Sequence, residues 1–408
     1  MKATRVYLFM EGAGALIFSM IFAASSLYQV SQAHLTALQL VLVGTVLEAS
    51  IFLFEVPTGV VADVYSRRAS VIIGYFLIGA GFILEGSVAW FWTILLAQVL
   101  WGLGYTFTSG AAQAWITDEL GEEQAGKVFL RASQVGNLAS LVGVGLGTLL
   151  ANIRLNLAIQ LGGVLLMGMG LFLMAAMSEH GFQPKPKAER GNWEAMWRTF
   201  QGGLSMVRRR PALGTILWIG LIYGLYSEGF DRLWVKHMLE GYALPTWWGM
   251  TAVTWNGVVR MGGMLISVAA AEVVRRRLDT TRHTVIVRAL GLFTIILIGG
   301  LGLFALGSSL VGMLAALWLI SAARSIIGPL YTTWVNQRLD SSVRATVLSM
   351  SSQVDALGQI AGGPVVGMIG STLSVRAALA ASAGLLTPVL GLLRRAERYP
   401  DEPVTPAG

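Results

Sequence analysis

The chain has 408 residues, 55% of them hydrophobic and 12% charged, with a formal net charge of +7. Soluble domains carry about 25% charged residues, so the composition excludes a water-facing globule. The absence of cysteine removes disulfides, thiolate metal sites and thiol nucleophiles. The four histidines, His34, His180, His237 and His283, are too scattered to form a metal-ligand pair.

Apolar runs of about 20 residues recur from the first turn onward, the length that carries a helix across a bilayer. In lipid the backbone must satisfy its own hydrogen bonds, so these runs predict helices, and no barrel-type alternation appears. The fold class expected is an all-α membrane protein with twelve spans. Their predicted positions are 6–30, 36–62, 69–88, 90–117, 129–150 and 155–177, then 212–235, 246–271, 286–305, 309–333, 345–369 and 374–393. The first run continues to full span length, which predicts no cleavable leader. Four regions follow: a six-helix bundle over 1–178, a linker over 179–211, a second bundle over 212–393 and a tail over 394–408. In the linker, Trp193, Trp197, Phe200, Leu204 and Val207 recur at helical spacing and predict an amphipathic helix at the headgroup level.

An even number of spans puts both termini on one side. Of the 29 Lys and Arg, twenty-three map to that side, the others being Arg154, Arg232, Lys236, Arg260, Arg324 and Arg376. Excess basic charge marks the cytoplasmic face, so both termini are expected there, in a plasma or inner membrane. The pI near 9.8 is thus topological and argues against a nucleic-acid partner.

The two halves repeat. A shift of 219 residues aligns Trp115 with Trp334, Leu120 with Leu339, Val128 with Val347, Ser-Gln-Val 133–135 with 352–354, Leu138 with Leu357, and Gly143 with Gly362. A shift of 209 aligns Thr45 with Thr254, Ala62 with Ala271 and Arg67-Arg68 with Arg276-Arg277, and sets Asp63 against Glu272. Duplicated halves are characteristic of secondary transporters.

Ionisable residues cluster within spans 1, 2, 7, 8, 10 and 11: Glu11, Glu48, Glu55, Glu228, Asp231, Arg232, Arg260, Arg324 and Asp355. A charge at mid-bilayer costs about 3 kcal/mol unless it faces protein or water. Spans 3, 6, 9 and 12 are clean in their middles and are expected to be lipid-facing supports. Glu48 and Glu55 lie seven residues apart, hence within about 20° on one helical face. Both are expected to look inward, as proton or cation sites or as structural acids. Asp231, Arg260, Arg324 and Asp355 carry both signs, so ion pairing and substrate contact stand side by side as readings. Pro57 removes one hydrogen bond and predicts a bend in span 2.

The segment "GVVADVYSRR" (59–68) resembles the loop motif of the major facilitator superfamily, with Gly59, Asp63, Arg67 and Arg68 on the pattern and Ser66 where a glycine is usual. The resemblance implies a charge relay, with Asp118 as its acidic partner. "FEVPTGVVAD" and "GLGYTFTSGAAQAWITDE" are similar to bacterial drug:proton antiporters of the macrolide and tetracycline efflux type. Two features depart from that subgroup: Gln98 stands near the place of a span-4 arginine, and span 5 keeps glycines but lacks its proline. The resemblance implies proton-coupled efflux of amphipathic organic compounds, by a monomer that uses no cofactor beyond the proton gradient. Trp101, Tyr105, Phe107, Tyr223, Tyr226, Trp255 and Tyr331 supply aromatic faces that suit such compounds. The alternatives are transport of an anionic metabolite through Arg260 and Arg324, and a non-transporting receptor on a transporter scaffold. No phosphate-binding loop and no nucleophile–base pair is present, so an enzyme is not expected.

Overall fold

The computed structural model describes residues 2–184, 211–337 and 341–398. Fourteen α-helices occur among the described residues: α1 (Ala3–Ser31), α2 (Ala37–Val64), α3 (Arg67–Ser87), α4 (Phe91–Thr108), α5 (Ala111–Leu120), α6 (Glu122–Ile153) and α7 (Leu155–Ala176), then α8 (Pro211–Gly241), α9 (Ala252–Arg277), α10 (His283–Leu306), α11 (Leu310–Gln337), α12 (Ser341–Thr372), α13 (Val375–Leu385) and α14 (Thr387–Ala396). No strand occurs among the described residues. Ten spans are long and apolar enough to cross a bilayer, with α4–α5 and α13–α14 each counting as one; α8 and α12 complete the twelve. The amphipathic helix expected at 193–207 lies outside the described residues.

Three boundaries differ from those read in the sequence. Span 4 breaks after Thr108: Gly110 adopts φ 73°, the left-handed region open to glycine, and the chain restarts as α5. Span 12 breaks at Leu386, where Pro388 opens α14, and this helix continues through Arg394 and Arg395 to Ala396, residues assigned above to the tail. Span 8 starts later, at Ala252, after a short turn over Trp247–Gly249. Helix α2 runs uninterrupted through Pro57, and Thr58 Oγ1 donates to the Phe54 carbonyl at 2.8 Å.

Two compact units emerge, and they follow packing rather than chain order. The first comprises Met1–Leu35, Val46–Met196 and Trp247–Gly257; the second comprises Thr36–Thr45, Trp197–Thr246 and Val258–Gly408. The opening turns of α2 therefore belong to the second unit, where Leu38 N–H donates to Ser371 Oγ at 2.8 Å. The opening turns of α9 belong to the first, where Asn256 Nδ2 donates to the Ala23 carbonyl at 2.7 Å. The exchange is reciprocal because α9 is the repeat of α2.

The repeat is visible in packing. In the first unit α1 lies along α6, and in the second α8 lies along α12. Gly143 of α6 faces the Leu16 carbonyl and Gly362 of α12 faces the Leu225 carbonyl. Leu16 and Leu225 are themselves separated by the 209-residue shift. Trp115 and Trp334 are each 1% exposed, and their indoles donate to Ser178 O and His283 Nδ1 respectively.

The span expected to be a clean support, α3, carries Glu85 in its last turn, a residue 1% exposed. This helix is also well covered by protein, because glycines let it approach α4 and α7 closely: a Cβ on Gly81 or Gly79 would crowd Ala97 O or Met167 N.

Candidate functional site

The second unit encloses a cavity of about 550 Å³ between α8, α11 and α12. Asp231 and Arg324 meet in it through two parallel bonds, Nη1 to Oδ1 at 2.5 Å and Nη2 to Oδ2 at 2.7 Å. Such a fork is the geometry that guanidinium and carboxylate favour. The Arg324 guanidinium also lies 5.6 Å from the centre of the Phe230 ring. Asp355 lines the same cavity and accepts from Gln359 Nε2 at 2.8 Å. No cation pairs with Asp355 among the described residues. Tyr223, Tyr226 and Tyr331 form the aromatic wall, and Tyr331 shares a hydrogen bond of 3.0 Å with Ser351 Oγ.

The other buried charges of this unit sort by partner. Glu228 accepts from Arg232 Nε at 2.8 Å, one helical turn along α8. Arg260 projects from α9 over the Trp234 ring at 5.2 Å, and its Nε is buried without a hydrogen-bond acceptor. Among the described residues no carboxylate reaches ion-pair distance of Arg260. Of the six, then, two pairs are closed, while Asp355 and Arg260 lack a contacting opposite charge.

Glu48 and Glu55 are placed differently from each other: Glu48 is half-buried and engaged, whereas Glu55 is exposed. Neither lines the cavities described here.

The first unit has a cavity of about 460 Å³, lined by Glu11, Phe18, Phe22, Trp101, Tyr105 and Gln113 among others. The repeat shifts superimpose the two linings: Phe22 on Asp231, Tyr105 on Arg324, Gln113 on Thr332, and Glu11 on Gly220. The two cavities thus occupy equivalent places in the repeat, one rich in aromatic rings, the other holding fixed charge. Phe22, Phe82 and Trp101 pack at centroid separations of 5.1 to 6.2 Å.

Sequence reasoning passed over Glu85. Its Oε1 accepts from Ser25 Oγ at 2.8 Å and Gln29 Nε2 at 2.9 Å, and its Oε2 accepts from Gln98 Nε2 at 3.1 Å. Gln98, noted in place of the span-4 arginine, is thus a partner of this acid. The signal available was an acid in a glycine-rich helix, but it sits near the end of span 3, outside the middle read as clean.

At the 59–68 motif, Arg67 pairs with Asp118 and stands 4.0 Å from Asp63. Ser66 caps α3 by accepting from Ala69 N–H at 2.9 Å, the cap that its side chain makes possible where glycine would have none. Glu179, just past α7, accepts from Ser66 Oγ at 2.6 Å and Arg68 N–H at 2.9 Å, and Glu119 accepts from His180 and Gly181 N–H. These two acids were also missed. Gly59 has no atom near its missing Cβ, so close approach does not explain it. In the second unit Glu272 takes the place of Asp63 and bonds Arg275 and Arg276, but Gln337 stands where Asp118 would be and donates to Thr280 O instead. Among the described residues, the equivalent interhelical ion pair occurs in one copy of the repeat.

Repeated bundles of apolar helices, each enclosing a cavity with ionisable groups, define a polytopic membrane protein of the transporter class. The sequence profile of the Major Facilitator Superfamily matches residues 8–362, and the chain belongs to that superfamily. A relative, the uncharacterized MFS-type transporter YxaM of Bacillus subtilis (strain 168), is 34% identical over 113 residues, covering 25% of this chain and 28% of that protein's length. Solved structures with the same fold include the nucleoside transporter NupG (D323A mutant), 12% identical with a TM-score of 0.78 over 97% of this chain and 99% of that one. A bacterial homologue of the human lysosomal transporter Spinster is 14% identical with a TM-score of 0.73, covering 97% of this chain and 96% of the other. Identities this low show the fold, and substrate choice is set by the site.

Proposed function

We propose that the protein is a secondary active transporter of the plasma or inner membrane, termini cytoplasmic, that couples proton movement to export of amphipathic organic compounds by alternating access. The observation that carries this reading is the unequal pairing in the second cavity. Asp231 has its charge compensated by Arg324, while Asp355, in the same cavity, is held by the neutral amide of Gln359. A carboxylate within the membrane and without a contacting cation is costly, and a proton is the smallest ion that removes the cost. Asp355 is therefore the proton carrier, and Asp231 with Arg324 is the fixed pair that shapes the cavity. The aromatic cavity of the first unit supports the amphipathic substrate class, since rings offer flat apolar contact.

The test uses purified protein in vesicles with a trapped pH dye and a panel of cationic, neutral and anionic amphipathic compounds. At least one class should drive proton flux in the wild type, opposite in direction to its own movement. The Asp355→Asn variant should show none while still exchanging labelled compound across the membrane. Full proton flux in that variant would remove Asp355 from the coupling step.

A further inference from the structure

Among the described ionisable residues within the spans of the second unit, Arg260 is the guanidinium without a contacting carboxylate. Its Nε is sealed from solvent and has no acceptor, while the residue as a whole is half-buried, so the side chain is not wholly closed off. Arg324 is already committed to Asp231 through both of its forked bonds. Asp231 is thereby occupied and does not extend to Arg260, which lies within its field but outside ion-pair contact. The Arg260 Cζ lies over the Trp234 ring, 5.2 Å from its centre. Stacking on an indole leaves the in-plane N–H groups of a guanidinium available, and it fixes the plane in which an acceptor must lie.

An orphaned donor inside a membrane-spanning unit is expensive to maintain, and the Trp234 ring offers it no hydrogen-bond acceptor in the guanidinium plane. What fits is a planar anion such as a carboxylate, which takes two parallel bonds from one guanidinium edge. A ring attached to that carboxylate would extend the stack begun by Trp234. From this arrangement we infer that Arg260 and Trp234 form a recognition site for the acidic group of the transported compound, so that the substrate class is an amphipathic aromatic carboxylate. The inference rests on the transport reading above and deepens it by naming the charge of the cargo.

The test reads binding and does not depend on proton flux. Purified full-length protein is treated with phenylglyoxal, which modifies arginine, and the rate at Arg260 is followed by mass spectrometry of its peptides. The probe is 1-naphthoate, with 1-naphthamide as its neutral counterpart. Saturating 1-naphthoate should slow modification of Arg260 at least fivefold, whereas the amide should leave the rate unchanged. Arg260→Gln should weaken 1-naphthoate binding at least tenfold, and Arg260→Lys, which keeps the charge but loses the fork, should fall between. Equal protection by acid and amide, or no protection at all, would overturn the assignment even if the gradient-driven flux assay succeeds. Conversely, protection of Arg260 in an Asp355→Asn background with no flux would uphold the site and confine the failure to coupling.

Discussion

Replacing Gly143 with alanine probes the helix crossing that the repeat builds twice. An added Cβ would stand 3.0 Å from both C and Cα of Leu16, and closer still to its carbonyl oxygen. Carbon–carbon contacts settle at about 3.5–4.0 Å, so α1 and α6 must part by about 0.5–1 Å. The obstructing atoms are backbone, which no rotamer change can clear. Overpacking of this kind costs about 1–3 kcal/mol. Gly145, two residues along the same helix, has nothing within 4 Å of its missing Cβ. Alanine there should gain about 0.5–1 kcal/mol of helix stability, a gain shared by both variants. The difference between them is then the overpacking itself, or roughly 1–4 °C in thermal midpoint for a chain of this length. Tryptophan fluorescence during heating in detergent measures it. Gly362→Ala should behave like Gly143→Ala, because a Cβ there would lie 2.7 Å from Leu225 Cα and 2.9 Å from its carbonyl carbon. Equal midpoints for Gly143→Ala and Gly145→Ala would refute the close crossing.

Two further outcomes are expected besides those given for Asp355 and Arg260. Asp118→Asn removes the charged partner of Arg67, a pair with side chains 13% and 24% exposed, at a cost of about 1–3 kcal/mol; turnover should fall about tenfold with substrate affinity unchanged, and an altered compound range would contradict a purely conformational role. Glu85→Leu strands the donors of Ser25, Gln29 and Gln98 at about 1–3 kcal/mol each, whereas Glu85→Gln keeps an acceptor oxygen. The leucine variant should melt well below the glutamine variant, and coincident curves would show that those bonds carry no stability.

Hydropathy determined the type of the spans and ten of the twelve, and two residue shifts determined the repeat, because both are properties of local composition and order. The motif at 59–68 and its partner Asp118 were also legible, through resemblance. Which charges meet was decided by tertiary structure. Arg324 and Asp231 are 93 residues apart in sequence, Arg67 and Asp118 are 51 apart, and Glu85 takes its donors from 13 to 60 residues away. Side-chain identity says that a buried charge needs compensation, but only packing says who supplies it. That is why six ionisable residues that looked alike in the second half separate into two closed pairs, one acid and one guanidinium. It is also why the exposed Glu55 and the half-buried Glu48, one helical face in sequence, differ in surroundings: a face shared along one helix meets different neighbours at different depths.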